Sequence, residues 1–144
     1  METSDLCGFL LQPVGSATCT RQMIFGDRKK PLLMEVVQAL AGLHCHKPTP
    51  IIHGDPRLPN LIIFQETLIW IDLAFYEELH EPTPRYFADD MNILIASLFP
   101  PTKRFVDLRK DTLVEALVEA YSQNLDHDSI VELVNHLEEL SKSI

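Results

Sequence analysis

Apolar residues follow two rhythms along this chain. Leu32, Leu33, Val36, Val37, Leu40 and Leu43 recur at helical spacing after Pro31, until Pro48 and Pro50 interrupt them. That pattern predicts a helix over 31–47. The rhythm then shortens to "IIH", "LIIFQ" and "LIWID", β-branched or aromatic runs that predict short strands. Helical spacing returns at about 86–99 on Phe87, Met91, Leu94, Ile95 and Leu98, ending at Pro100-Pro101. It returns again at about 103–123, with a break near Lys110 and a later stripe of Leu113, Leu117, Ala120 and Tyr121. A last helix is predicted from a Ser129–Glu132 capping-box pattern, with Ile130, Leu133, Val134, Leu137 and Leu140 inward. Near the start, "CGFLLQPVG" reads as one more short strand, stopped by Pro13 and Gly15, and 16–27 reads as loop. The expected fold is mainly α with a few short strands, an α+β domain.

The length of 144 residues suits one domain, and 46% apolar with 23% charged residues is the balance of an ordinary globular protein. A formal net charge of −9 repels phosphate backbones, so nucleic acid is not an expected partner. No apolar run reaches the length of a membrane span. The start, "METSDLCGFLLQ", lacks a basic leader region. Cys7, Cys19 and Cys45 are odd in number and scattered, which implies no disulfide framework. A cytoplasmic or nuclear location is expected.

The chemistry concentrates in "HGDPRLPNLI", residues 53–62. The strand that leaves this loop, Leu61 to Gln65, travels on the order of 16 Å. The chain turns near Glu66-Thr67, and Leu68 to Ile71 returns beside it. Asp72 is therefore expected near Asn60, with Asp55 in the same loop. Two carboxylates and an amide oxygen from two segments suit a hard cation such as Mg²⁺, which takes one or two carboxylates plus substrate phosphates. Each residue alone has a plainer reading: Asp and Asn favour turns, and Arg57 suits a surface ion pair. His44, Cys45 and His46 sit side by side at one helix end and point in different directions, so they read as a plain helix end rather than a zinc site. Trp70 reads as core.

These residues resemble a known family. "IIHGDPRLPNLI" is similar to the catalytic loop of the protein-kinase-like superfamily, H-R-D-L-x-x-x-N, and "IWIDLA" resembles its metal-binding D-F-G strand end. The H-G-D form resembles the aminoglycoside- and choline-kinase-like branches and the kinase domains of Crinkler-type effectors. Residues 6–15 look like the last N-lobe strand and hinge, 31–47 like the long helix before the catalytic loop, 51–75 like the loop and metal-site hairpin, and 86–142 like a helical C-lobe. The resemblance implies transfer of the ATP γ-phosphate to a hydroxyl, with Mg²⁺ and ATP as cofactors. It assigns Asp55 as the catalytic Asp that takes the hydroxyl proton and Arg57 as a basic residue near the transferred phosphate. It assigns Asn60 and Asp72 as metal ligands, and His53 and Asp90 as structural support.

The chain departs from the family in definite places. None of its five glycines forms a G-x-G-x-x-G, and there is no V-A-I-K strand. D-F-G reads Asp72-Leu73-Ala74. The expectation is therefore a C-lobe without most of the nucleotide-covering lobe, in a truncated or divergent form. Its alternatives are a catalytically inactive pseudokinase that acts as a scaffold, and a fragment of a small-molecule kinase. A C-lobe of this kind should present an apolar surface around Phe9 to Leu11, open to self-association or to a protein partner.

Overall fold

In the computed structural model of the protein, the described residues are 17–18, 20, 24, 32–65, 67–99 and 112–142. They form four α-helices and two small antiparallel sheets: β1 (Ala17–Thr18), α1 (Leu33–His44), β2 (Ile51–Ile52), β3 (Leu61–Phe64), β4 (Thr67–Trp70), β5 (Glu77–Glu78), α2 (Pro84–Leu98), α3 (Thr112–Asn124) and α4 (His127–Ser141). The mainly helical α+β class expected from the pattern is what is observed. The expected strand and hinge at 6–15, and the apolar surface at Phe9 to Leu11, lie outside the described residues.

The helices form where an apolar stripe and a stop signal coincide. α1 buries Leu33, Val36, Val37, Leu40, Ala41 and His44 on one face. It is shorter than 31–47: Leu32 is its N-cap, and at the other end Cys45 closes it by donating its backbone N–H to the Ala41 and Leu43 carbonyls. α2 begins with Pro84 in its first turn, where a missing N–H costs nothing. It buries Phe87, Asp90, Met91, Leu94, Ile95 and Leu98. α3 starts at Thr112; the stretch near Lys110 where a break was expected lies outside the described residues.

α4 corrects the capping assignment. Its N-cap is Asp126, whose Oδ1 accepts from the Ser129 backbone N–H at 2.9 Å, while the Ser129 hydroxyl donates to the Asp126 carbonyl at 3.0 Å. The side-chain cap of the first turn is thus Asp126 on the Ser129 N–H, three residues ahead of the expected Ser129–Glu132 box.

α2 packs on α3, α3 on α4, and α4 on α1, while β2 and β4 lie against α1. Leu33, Leu40, Met91, Leu94, Tyr121, Leu133 and Leu137 fill the space between them. The strand order of the larger sheet is β1-β3-β4. Ala17–Thr18 falls in a stretch read as loop. It is a strand because Ile62 and Ile63 offer it a pairing edge, a long-range cause that local pattern does not contain. β2 pairs antiparallel with β5, Ile51 opposite Glu78 and Ile52 opposite Glu77.

Candidate phosphotransfer site

The expected β3–β4 hairpin forms but turns earlier than expected: β3 ends at Phe64 and Thr67 already belongs to β4, with Leu61 opposite Trp70 and Phe64 opposite Thr67. Gln65 turns the chain with φ 51°. At the open end, the Ile71 N–H donates to the Asn60 carbonyl at 2.8 Å. Asp72 follows directly, exposed and in a left-handed conformation (φ 57°, ψ 62°). Asp and Asn tolerate that region better than other side chains, and such backbone conformations cluster at functional sites.

The loop itself is organised from below by α2. Asp90 is 2% exposed and lies on the apolar stripe of that helix. Its carboxylate accepts from the backbone N–H of His53 at 2.9 Å and from that of Gly54 at 3.0 Å. Two turns further along α2, the Ser97 hydroxyl accepts from the Leu58 N–H at 3.0 Å. One helix therefore grips the loop at both ends, at points ~10 Å apart along its axis. His53 is fully buried, with its ring against Trp70. Its Nδ1 accepts from the Asp55 N–H at 3.1 Å, so Nε2 carries the proton donated to the Ile71 carbonyl at 3.0 Å. His53 thus ties the loop to the strand end that carries Asp72. Trp70 is buried, as expected of a core residue.

Asp55 and Asn60 touch. The Asn60 amide nitrogen donates to the Asp55 carbonyl at 2.9 Å and to its Oδ2 at 3.2 Å. That commitment leaves the Asn60 Oδ1 as the free acceptor of its side chain. Arg57 forms a two-pronged pair with Asp55, Nε to Oδ1 at 2.7 Å and Nη2 to Oδ2 at 3.0 Å. The guanidinium is the main reason the Asp55 carboxyl lies below the ordinary carboxylate range; burial opposes it, and Asn60 adds to it. Arg57 is held charged chiefly by Asp55, and Asp72 acts on it in the same direction. Asp55, Arg57, Asn60 and Asp72 therefore share one electrostatic neighbourhood.

A metal reading is tested by the donor set. Among the described residues, no three His, Cys, Asp or Glu side chains converge as a metal-binding group. The neighbourhood here holds two carboxylates and one amide oxygen. That composition fits Mg²⁺ shared with substrate phosphates and does not fit a self-sufficient protein cage.

One residue passed over in the sequence proves central. His44, read as part of a plain helix end, is fully buried. Its Nε2 donates to Asp90 Oδ2 at 2.9 Å, and its Nδ1 accepts from the Tyr121 hydroxyl at 2.6 Å. Burial, more than the Cys45 and Asp90 charges, pushes the Tyr121 phenol well above its ordinary range, so it remains a donor. α1, α2 and α3 meet on this chain of hydrogen bonds. The available signal was periodicity: His44 lies one helical turn beyond Leu40, on the buried stripe of α1. Cys45, beside it, is a free, exposed thiol.

No protein-family model, curated protein or solved structure matches this chain. No helix among the described residues is long and apolar enough to cross a membrane.

Proposed function

We propose that this chain is a protein-kinase-like phosphotransferase domain, in a truncated or divergent form, whose reaction moves the ATP γ-phosphate to a hydroxyl acceptor. One observation carries the reading. Ile71 is bonded to both Asn60 and His53, which delivers Asp72 to the mouth of the loop that holds Asp55 and Asn60. Phosphoryl transfer asks a protein for positioning and charge neutralisation more than for covalent chemistry.

Each residue has a role in that scheme. Asp55, kept ionised, accepts the proton of the attacking hydroxyl. Arg57 exchanges Asp55 for the transferred phosphate, to which its fork is equally suited. Asn60 Oδ1 and Asp72 would hold Mg²⁺, which neutralises phosphate charge when bound. His53 and Asp90 hold the loop. The scaffold alternative is favoured by one feature: both Asp55 oxygens already engage Arg57, so a chain that never releases the pair would bind without turnover.

Calorimetric titration with Mg-ATP, paired with single-turnover transfer to a generic hydroxyl acceptor, tests the reading. The expected result is weak, Mg²⁺-dependent binding that disappears in Asp72→Ala and Asn60→Ala. Nucleotide binding that is indifferent to Mg²⁺ and to both substitutions would contradict it.

A further inference from the structure

The segment after Asp72 carries a surface that the phosphotransfer scheme leaves unused. Phe75 is 67% exposed and Tyr76 41% exposed. A well-held segment presents them. Ile71 is bonded to Asn60 and His53, and the Phe75 backbone presses on Gly54. Glu77 and Glu78 pair with Ile52 and Ile51, and the N–H of buried Leu79 donates to the Pro50 carbonyl at 2.8 Å. The Phe75 backbone lies against Gly54, so this segment runs beside the residue that precedes Asp55.

Charge defines what such a surface takes. The sequence has no Lys or Arg between Arg57 and Arg85, but within that interval it has Glu66, Asp72, Glu77, Glu78 and Glu81. Asp72, Glu77, Glu78 and Glu81 are exposed. Among the described residues, no ion pair involves Glu77, Glu78 or Glu81. An apolar partner would strip water from these carboxylates without replacing it, and an anionic partner would be repelled. Arg and Lys side chains satisfy both features at once, stacking on the rings and neutralising the acids. From Phe75 to Glu78 the surface runs on the order of 10 Å. That length calls for several cations spaced along an extended chain.

We propose that Phe75, Tyr76, Glu77 and Glu78 form a docking surface for an arginine- or lysine-bearing polypeptide segment.

The probe is a short fluorescent peptide with several arginines and one serine, followed by anisotropy. Its companions are the same sequence with glutamine for arginine, and spermidine as a competitor. Three variants are compared after their melting curves are shown to match the parent. Glu77→Lys with Glu78→Lys, and separately Phe75→Ala with Tyr76→Ala, are expected to weaken the arginine peptide by about tenfold or more. Glu132→Lys with Glu139→Lys makes the same change of net charge on α4 and is expected to leave affinity within about twofold. Equal loss in the α4 variant, no loss in the ring variant, or displacement by spermidine as effective as by peptide would overturn the docking surface and leave a diffuse counter-ion effect. Failure of Mg-ATP binding with peptide binding intact sinks the phosphotransfer reading alone. Intact Mg-ATP binding without site-dependent peptide binding sinks this proposal alone.

Discussion

Gly54 shows how far one position constrains the loop. Its φ is +89°, and a Cβ there would collide with the Phe75 carbonyl oxygen and lie 2.7 Å from the Phe75 Cβ. Both the torsion and the space exclude a side chain, so Gly54→Ala is expected to cost roughly 2–4 kcal/mol. The urea midpoint should fall with the slope unchanged; a midpoint within error of the parent would mean that the loop does not hold this conformation in solution. Asp55 gives a pH-dependent counterpart. Its folded-state pKa is depressed, mainly by Arg57. Its contribution to stability is therefore complete above the ordinary carboxylate value, about 3.9, and is lost as pH falls through the lower folded value. Parent and Asp55→Asn should differ in urea midpoint at neutral pH and converge on acidification below about pH 4. A gap that widens in acid would reverse the assigned sign.

Among the elements, α2 bears the load of the site. Asp90 accepts from His44 and from two loop amides. Asp90→Ala strands all three donors and is expected to cost about 3–5 kcal/mol. Tyr121→Phe removes only the hydroxyl that donates to His44 and should cost about 1–2 kcal/mol. Denaturant unfolding of the two variants tests that ranking, and equal costs would mean that the network does not centre on Asp90. Much of this was legible in the sequence. The stripe of α2 and the alternation of the hairpin were visible as pattern, and the hairpin placed Asp72 near Asn60. What the sequence hid was long-range. β1 exists because β3 offers an edge, and His44 matters because Tyr121, 77 positions away, reaches it. The α4 cap was misplaced by three residues because Ser129 suits two capping roles. The backbone, not the motif, chose Asp126.

At the scale of the whole molecule, the site has one described wall. Loop and hairpin supply Asp55, Asn60 and Asp72, with α2 holding the loop, but the 144 residues include no Gly-rich phosphate loop. Effective-molarity gains of about 7–11 kcal/mol depend on a fixed near-attack geometry. These residues alone are therefore expected to bind nucleotide weakly and to transfer phosphate slowly or not at all. Single-turnover transfer that Asp55→Ala abolishes, accompanied by tight Mg-ATP binding, would show that another part of the chain supplies the second wall. The central claim, that Asn60 and Asp72 form a divalent-cation site beside Asp55, is tested most directly by Mn²⁺ titration of the isotope-labelled chain, with amide broadening as the readout. The amides of Asp55, Asn60, Ile71 and Asp72 should broaden first, and Asp72→Ala should remove the effect. Broadening that begins at the acidic start of α4, or that survives Asp72→Ala unchanged, would contradict the claim.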